Sequence, residues 1–313
     1  MENLDNFCGL CYTDTEKAPR RCAVKKRFAK VYLEITNICN LQCDFCPGNT
    51  RPPHSITPEE FTVLADRLRP YTDYLYFHVM GEPLLHPQLE TLFEIAQSRG
   101  YHVAITTNGT RLAERHDLLV RYAKAPLYKV SVSLHAYEAN GKILLNGHFA
   151  PTVRLARELS ARGTIVALRL WNLDGESREE AHHAHNDAIL AALHEAFPEE
   201  WVAHHNGYKI CDRLYLEWGE RFDWPSLVHA PDYGERGTCY GLRDQIGVLS
   251  DGTVVPCCLD GEGTVALGNL HRTDMETILN EPRTQAMVTG FHQGRLTESL
   301  CRHCGYARRF TKK

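Results

Sequence analysis

The chain has 313 residues, of which 43% are apolar and 24% are charged, and its formal net charge is −4. This composition is typical of a globular protein with one large domain, or one large and one small. The charge balance gives no clear indication of nucleic-acid binding. No apolar run approaches the ~20 residues of a membrane span. The N-terminal stretch MENLDNFCGLCYTD also lacks a secretory apolar core, so the sequence predicts a cytoplasmic protein.

Twelve cysteines occur in the chain, and all except Cys211 fall into three groups. Because cytosolic thiols stay reduced, such groups are more often metal or redox ligands than disulfides. The first group, Cys8, Cys11 and Cys22, lies in an N-terminal extension that we place at 1–30. A further cluster, a zinc site and free thiols all remain open for these three. Cys211 is predicted to be an ordinary core residue.

From residue 31 onward, strand patterns alternate with helix patterns. The first helix is predicted to begin at Thr57 as N-cap, with Pro58 at its first position. Later helices are predicted after His86, after Asn108-Gly109, and over 151–162 and 177–197. The predicted strands are 31–37, 74–79, 103–107, 129–134, 164–170 and 208–218. Six βα units in a row indicate a parallel sheet with helices outside it.

Polar and chemically active residues recur just after these strands, at Cys39, Gly81, Asn108, His135 and Asn172. Active sites of parallel α/β proteins lie at the carboxyl ends of the strands. The sequence therefore predicts the functional site at that edge.

The pattern changes after about residue 220. The stretch DQIGVLSDGTVVPCC (244–258) predicts a β-hairpin that turns at Asp251-Gly252, and a helix is predicted from Thr273 to about Val288. We predict a second, small α+β domain at 236–313. Its hydrophobic core is small, so a bound metal would stabilise it.

The stretch CNLQCDFC (39–46) places three cysteines, Cys39, Cys43 and Cys46, within eight residues. Three thiolates can hold three irons of a four-iron cluster and leave the fourth iron open to a cofactor or substrate. A zinc site completed by a distant ligand and a reactive-thiol cluster are the alternatives that spacing leaves open.

C-x3-C-x2-C directly after a first strand resembles the motif of the radical S-adenosylmethionine (SAM) enzymes. Met80-Gly81-Glu82-Pro83 is similar to that family's Gly-Gly-Glu-Pro element, with Met80 in place of the first glycine. The segments 106–109 and 133–136 also match, so the resemblance covers roughly residues 30 to 220. It implies a partial (β/α)6 TIM-like barrel, with the radical SAM core at 31–222.

The resemblance also implies a mechanism. The open iron binds the amino and carboxylate groups of SAM, a one-electron reduction cleaves SAM, and the resulting 5′-deoxyadenosyl radical abstracts hydrogen from the substrate. The electron would come from a flavodoxin- or ferredoxin-type donor.

The same resemblance assigns cofactor contacts to six residues. Gly81 and Glu82 would face the methionine ammonium, Phe45 the adenine, and Asn108 and Ser133 the ribose or carboxylate. Arg169, inside the fifth strand, would pair with the cofactor carboxylate or an acidic substrate. An ordinary turn at 81–83, core packing of Phe45, structural roles for Asn108 and Ser133, and a structural ion pair of Arg169 are the alternatives.

The C-terminal cysteines resemble the first half of the SPASM motif and its shorter twitch variant. The pattern is Cys239-x12-Gly252-x4-Cys257 followed by Cys301-x2-Cys304. It implies one auxiliary [4Fe-4S] cluster held by Cys239, Cys257, Cys301 and Cys304. Cys258 could replace Cys257, and a zinc ribbon is the alternative. A fully ligated cluster suits electron transfer, which favours net oxidation of the substrate.

The sequence thus predicts an oxidoreductase with two [4Fe-4S] clusters and SAM that dehydrogenates or cross-links a small-molecule or peptide substrate. A peptide-modifying maturase is the first alternative. The residues before the first strand are too few for a leader-binding domain, so a maturase is expected to use a separate recognition partner. A zinc-stapled, non-catalytic binding protein is the alternative from another class.

Overall fold

The computed structural model describes residues 27–139, 143–173 and 180–310. Cys8, Cys11 and Cys22 lie outside the described residues. The helices are α1 Pro58–Leu68, α2 Leu89–Ser98, α3 Leu112–Arg121, α4 His135–Ala139, α5 Ile143–Ala161, α6 Glu180–Ala196, α7 Met275–Asn280, α8 Pro282–His292 and α9 Ser299–Arg302. No helix among these residues is long and apolar enough to cross a membrane.

The strands of the described residues form one eleven-stranded sheet. They are β1 Lys30–Leu33, β2 Tyr74–Phe77, β3 His102–Thr107, β4 Leu127–Ser133, β5 Ile165–Leu173, β6 Val202–His204, β7 Gly207–Cys211, β8 Leu214–Glu220, β9 Gln245–Val248, β10 Thr253–Val255 and β11 Gly268–Asn269. Their order is β11-β10-β9-β1-β2-β3-β4-β5-β8-β7-β6, and neighbours from β1 through β5 to β8 are parallel. The predicted partial (β/α)6 architecture is confirmed.

Local chemistry explains where α1 begins. The Thr57 hydroxyl accepts from Glu60 N (3.2 Å), and the Glu60 carboxylate accepts from Thr57 N (2.7 Å). This reciprocal capping box satisfies two backbone donors that the helix leaves without partners. The predicted N-cap at Thr57 is confirmed.

Alternation along the parallel strands separates a core face from a cavity face. The helix-covered face buries Val31, Leu33, Leu75, Phe77, Val130 and Leu168. The opposite face presents Lys30, Tyr32, Tyr76, His78, Lys129 and Arg169 to a cavity. Each strand therefore contributes alternately to the core and to the candidate site.

Two predicted elements differ from the structure. The run 208–218 is not one strand but the hairpin β7–β8, because the chain reverses at Asp212-Arg213, where Arg213 has φ 58°. Only β8 pairs in parallel with β5. The predicted helix from Thr273 is divided into α7 and α8, because the residue before Pro282 takes an extended backbone (Glu281, ψ 140°).

The C-terminal hairpin extends the central sheet instead of forming a sheet of its own. β9 pairs in parallel with β1 from Lys30↔Gln245 to Leu33↔Val248, and β10 adds to it antiparallel. One hydrophobic cluster runs from Phe28 to Ala307. Cys239, Cys301 and Cys304 pack against this same core.

The buried carboxylate of Glu34 connects the core strands to the C-terminal hairpin, and we call this its hub role. Its carboxylate accepts from Arg51 Nη2 (2.6 Å), from Met80 N (3.2 Å) and from Ser250 N (3.0 Å). Arg51 also donates to the carbonyl of Gly261 (2.7 Å). One ion pair thus joins β1, the loop that follows the cysteines, the 80–83 turn and the C-terminal hairpin.

Replacing Arg51 with Met is expected to lower the free energy of unfolding by about 3 kcal/mol or more, because the fully buried Glu34 carboxylate loses its counter-charge. Anaerobic chemical denaturation measures the change. Arg243→Met is the matched control, since the Arg243–Asp244 pair is half-exposed, and its cost should be within about 0.5 kcal/mol. Equal costs for the two variants would refute the hub role.

Candidate active site

A single open cavity of ≈ 2300 Å³ lies against the inner face of the sheet. Every residue predicted as a cluster ligand or a cofactor contact lines it. They are Cys39, Cys43, Cys46, Cys239, Cys257, Cys301, Cys304, Phe45, Gly81, Glu82, Asn108, Ser133 and Arg169. The fold therefore brings residues up to 265 positions apart (Cys304 and Cys39) to one space.

Cys39, Cys43 and Cys46 lie on the loop between β1 and α1. The amide of Leu41 donates to the Cys39 sulfur (3.5 Å), and the Asn108 side-chain nitrogen lies 3.9 Å from the same sulfur. The Cys46 amide donates to the Cys43 carbonyl (3.1 Å), which closes a turn between the two cysteines. Amide donors aimed at a sulfur are the outer contacts that tune a metal-bound thiolate.

The donor set fits an iron–sulfur cluster. Three closely spaced thiols are soft donors of the kind that such clusters use. Burial raises the pKa of Cys39 and of Cys46, so both thiols hold their protons at neutral pH until a metal displaces them. Within the described residues, no three His, Cys, Asp or Glu side chains are arranged as ligands of one metal ion.

Gly81 brings the 80–83 turn against the chain that enters the cysteine loop. It has φ 76°, and a Cβ at this position would lie 2.3 Å from the Thr36 carbonyl oxygen. The next amide, of Glu82, donates to the Ile38 carbonyl (2.9 Å). Only glycine allows this approach, which places the turn beside Cys39.

Gly81→Ala is expected to destabilise the protein by about 3 kcal/mol or more, since a positive φ costs roughly 1–2 kcal/mol and the new methyl would collide with backbone. The measurement is thermal or chemical unfolding of the anaerobic protein. Gly100→Ala is the control, because Gly100 has φ +69° and its nearest neighbour to an added Cβ is Arg69 at 3.6 Å. If both variants lose equal stability, steric contact is not why glycine stands at 81.

Glu82 is a buried carboxylate that accepts three hydrogen bonds. The donors are Leu84 N (3.0 Å), the Thr107 hydroxyl (2.8 Å) and Asn108 N (2.7 Å). Burial outweighs these donors and raises the pKa of Glu82 to about 7. Glu82 therefore ties the end of β3 to the 80–83 turn, and its carboxyl group exchanges its proton near neutral pH.

The remaining cofactor candidates have protein partners of their own. The Asn108 side chain donates to Asn40 Oδ1 (3.0 Å) and accepts from the Thr110 hydroxyl (2.7 Å). The Phe45 ring lies 4.8 Å from the His135 ring, centroid to centroid. Ser133, at the end of β4, lines the cavity. These contacts position the residues at the cavity wall.

Arg169 forms an ion pair across two strands. Its Nε lies 3.2 Å from the Glu217 carboxylate, and its guanidinium stacks on the Trp171 ring at 4.5 Å. The structure thus shows the ion pair that was one of the two expectations for Arg169. It also places the guanidinium at the cavity, where a further anion can reach it.

The auxiliary cysteines surround Cys257. Burial, followed by the nearby thiols Cys239, Cys258, Cys301 and Cys304, raises the pKa of Cys257 well above the ordinary thiol value. The Gly241 amide donates to the Cys239 sulfur (3.4 Å). Thiols from the loop between β10 and β11, from α9, from the segment directly after α9 and from the 239–241 turn converge there.

Cys258 faces a different environment. It packs against a small cluster that contains Tyr32, Val79 and Met80, and Tyr76 packs against the same cluster. Burial raises the pKa of Cys258 to about 11, and the largest opposing influence is the Lys30 ammonium. The two adjacent cysteines therefore point to different neighbours.

Sequence reasoning missed the inward-facing residues Lys30, Tyr32, Tyr76, His78 and Lys129. All of them line the cavity. A signal was present, since polar and apolar residues alternate in KVYL (30–33) and in KVSVS (129–133). Val31, Leu33, Val130 and Val132 of those runs are at most 2% exposed and face the helices.

Two family models match the chain and together cover more than two thirds of it. The radical SAM superfamily model matches residues 33–188, and an iron–sulfur cluster-binding domain of the SPASM type matches residues 239–305.

Curated relatives are more distant. The "Antilisterial bacteriocin subtilosin biosynthesis protein AlbA" of Bacillus subtilis is 24% identical over 267 residues, which are 80% of this chain and 59% of that protein. The "Tungsten-containing aldehyde ferredoxin oxidoreductase cofactor-modifying protein" of Pyrococcus furiosus is 27% identical over 122 residues, which are 38% of this chain and 34% of that protein. The chain thus aligns with less than two thirds of either relative.

Solved structures share the fold at low identity. BtrN in complex with AdoMet and 2-DOIA has a TM-score of 0.51 at 16% identity, covering 90% of this chain and 94% of that chain. Streptococcus suis SuiB bound to precursor peptide SuiA has a TM-score of 0.54 at 13% identity, covering 90% and 71%. With both family models matched in order, the chain belongs to the radical SAM superfamily and carries a C-terminal SPASM iron–sulfur domain.

Proposed function

We propose that this protein is a radical SAM oxidoreductase that oxidises a substrate C–H bond, by dehydrogenation or by cross-linking. Radical SAM and SPASM proteins use SAM and [4Fe-4S] clusters, which when bound supply a 5′-deoxyadenosyl radical and an electron-transfer centre. The observation that carries the proposal is that a three-cysteine loop and a four-cysteine set open into one cavity.

In this proposal Cys39, Cys43 and Cys46 hold the catalytic cluster. Residues 31–222 form the catalytic core and 236–313 the auxiliary domain. Gly81 supplies the close backbone approach, and Glu82 holds the ends of β2 and β3 together beside Cys39. Phe45, Asn108 and Ser133 lie on the walls and would position the cofactor, while the apolar helices exclude water from the other face of the sheet.

Cys239, Cys257, Cys301 and Cys304 would hold the auxiliary cluster. The surroundings of Cys257 support its choice over Cys258, whose neighbours are Tyr32, Tyr76 and Met80. Four protein ligands leave no open position, so this centre would accept the electron that the substrate radical loses when it becomes the oxidised product.

A peptide-modifying maturase is the second candidate. One relative is named for the biosynthesis of subtilosin, another for mycofactocin maturation (MftC, 28% identical over 134 residues), and SuiB was solved with a precursor peptide. The cavity of ≈ 2300 Å³ is wide enough to admit a peptide loop as well as a small molecule. A leader-binding partner would then deliver the peptide, and a flavodoxin or ferredoxin would deliver the electron.

Anaerobic purification and reconstitution test the proposal. The protein should be brown, hold about eight irons per chain as two four-iron clusters, and form 5′-deoxyadenosine from SAM when it is reduced. Colourless protein that carries zinc and leaves SAM intact would instead support a zinc-stapled binding protein. Cleavage that is stimulated by a peptide, and only with its partner, would favour the maturase.

A further inference from the structure

The deep part of the cavity carries a cluster of cations that the proposed chemistry does not use. Lys30 stands at the start of β1, Lys129 near the start of β4 and Arg169 in the middle of β5, all on the inner face. The cysteine loop lies beyond the opposite, carboxyl end of β1. Lys30 and Lys129 lie nearer the amino ends of their strands, and Arg169 is level with Ser133 at the end of β4. Together they line one inner wall of the cavity, which we call the cationic floor.

The cationic floor has more positive than negative charge. The Glu217 carboxylate is shared by Lys129 Nζ (3.3 Å) and Arg169 Nε (3.2 Å). Among the described residues, Lys30 makes no ion pair, and its Nζ lies over the rings of Tyr32 (5.1 Å) and Tyr76 (5.0 Å). Three cations thus face one carboxylate.

The neighbouring titratable groups do not balance this charge. Burial, followed by Arg169 and Lys30, lowers the pKa of His78 to about 3, so that imidazole is neutral. Burial raises the pKa values of Tyr32 and Tyr76, and these phenols are neutral too. Asp244, near Lys30, is paired with Arg243 on the exposed side.

Two residues that line this space, His78 and Tyr76, carry polar side-chain atoms there. The His78 Nδ1 atom is buried and has no hydrogen-bond partner among the described residues. The Tyr128 and Tyr76 hydroxyls contact one another at 2.5 Å. Excess cations in a partly desolvated cavity cost free energy unless an anion compensates them, and burial already lowers the pKa of Lys30.

We propose that the substrate carries an oxyanion, a carboxylate or a phosphate, that binds to the cationic floor between Lys30, Lys129 and Arg169. This inference rests on the proposed function and specifies its substrate class. The anionic end would lie deep in the cavity, and the reacting C–H bond would extend towards the cysteine loop. Arg169 and Lys129, already oriented by Glu217, would each donate to the oxyanion, and Lys30 would supply the charge that Glu217 does not match.

Calorimetric titration of the reconstituted protein with SAM present tests this inference, with inorganic phosphate and glutarate as the two probes. At least one probe should bind to a single site, and Lys30→Met should weaken it about tenfold or more, as expected for the loss of one charged partner. Lys30→Arg should restore most of the affinity. If Lys30→Met fails to fold, Lys129→Met replaces it, with the same expected loss.

Lys209→Met is the matched control. Lys209 is on β7, pairs with the exposed Asp212 and does not line the cavity. Binding of phosphate alone would identify the anionic group of the substrate as a phosphate, and binding of glutarate alone would identify it as a carboxylate. Binding that is absent, or unchanged in Lys30→Met, overturns the inference. SAM cleavage by the unmodified protein is measured separately. Cleavage without anion binding would refute only the anionic substrate, whereas anion binding without cleavage would refute only the proposed function.

Discussion

Replacing Cys39, Cys43 and Cys46 together by alanine is expected to reduce 5′-deoxyadenosine formation to background. These thiols are the proposed anchors of the catalytic cluster, and without them SAM has no iron to bind. Iron content should fall from about eight to about four per chain, because the auxiliary cysteines remain. Iron analysis and chromatographic detection of 5′-deoxyadenosine, both anaerobic, measure the two effects.

Cys211→Ala is the control for this triple variant. Cys211 is a half-buried residue of β7 that packs on the core and does not line the cavity. Its replacement should leave iron content and SAM cleavage unchanged. Retained cleavage in the triple variant, or an equal loss of iron in Cys211→Ala, would contradict the assignment of the catalytic cluster.

Replacing Cys301 and Cys304 by alanine is expected to separate SAM cleavage from substrate oxidation. The auxiliary cluster should be lost, with iron falling to about four per chain and one of the two cluster signals disappearing from the electron paramagnetic resonance spectrum. 5′-Deoxyadenosine should still form. The oxidised product of a substrate that stimulates cleavage should not accumulate, because the substrate radical has lost its electron acceptor.

Cys257 and Cys258 provide an internal comparison for the auxiliary cluster. Cys257→Ala should lose the same iron as the Cys301/Cys304 variant, whereas Cys258→Ala should keep it, since Cys258 faces Tyr32 and Tyr76. An unchanged yield of oxidised product in the Cys301/Cys304 variant would refute the electron-transfer role. Loss of iron from Cys258→Ala alone would reverse the ligand assignment.

Much of this protein was predictable because its signals are local. The N-cap at Thr57, the turn at Gly252 (φ 84°) and the βα alternation arise from neighbouring residues, so sequence alone locates them. The spacing of Cys39, Cys43 and Cys46 also lies within one loop. The order of these elements along a parallel sheet then brings Gly81, Asn108 and Ser133 to one edge.

Other features depend on partners far away in the chain, and no local pattern contains them. The run 208–218 has strand propensity throughout, so only its pairing with β5 shows that the chain reverses at Arg213. The sequence leaves open whether Arg169 pairs with a cofactor or with another residue. Only the structure shows that Glu217 on β8 is its partner.

Sequence by itself thus determined the family motif, the succession of βα units in the core and the spacing of the cysteines, because each is set by short-range pattern. Tertiary structure alone decided that Cys257 and Cys258 face different neighbours, that Glu34 and Arg51 join the two cysteine regions, and that three cations meet one carboxylate on the cavity floor. The physical reason is that side-chain direction and charge balance are properties of the folded sheet, where residues more than a hundred positions apart share one desolvated space.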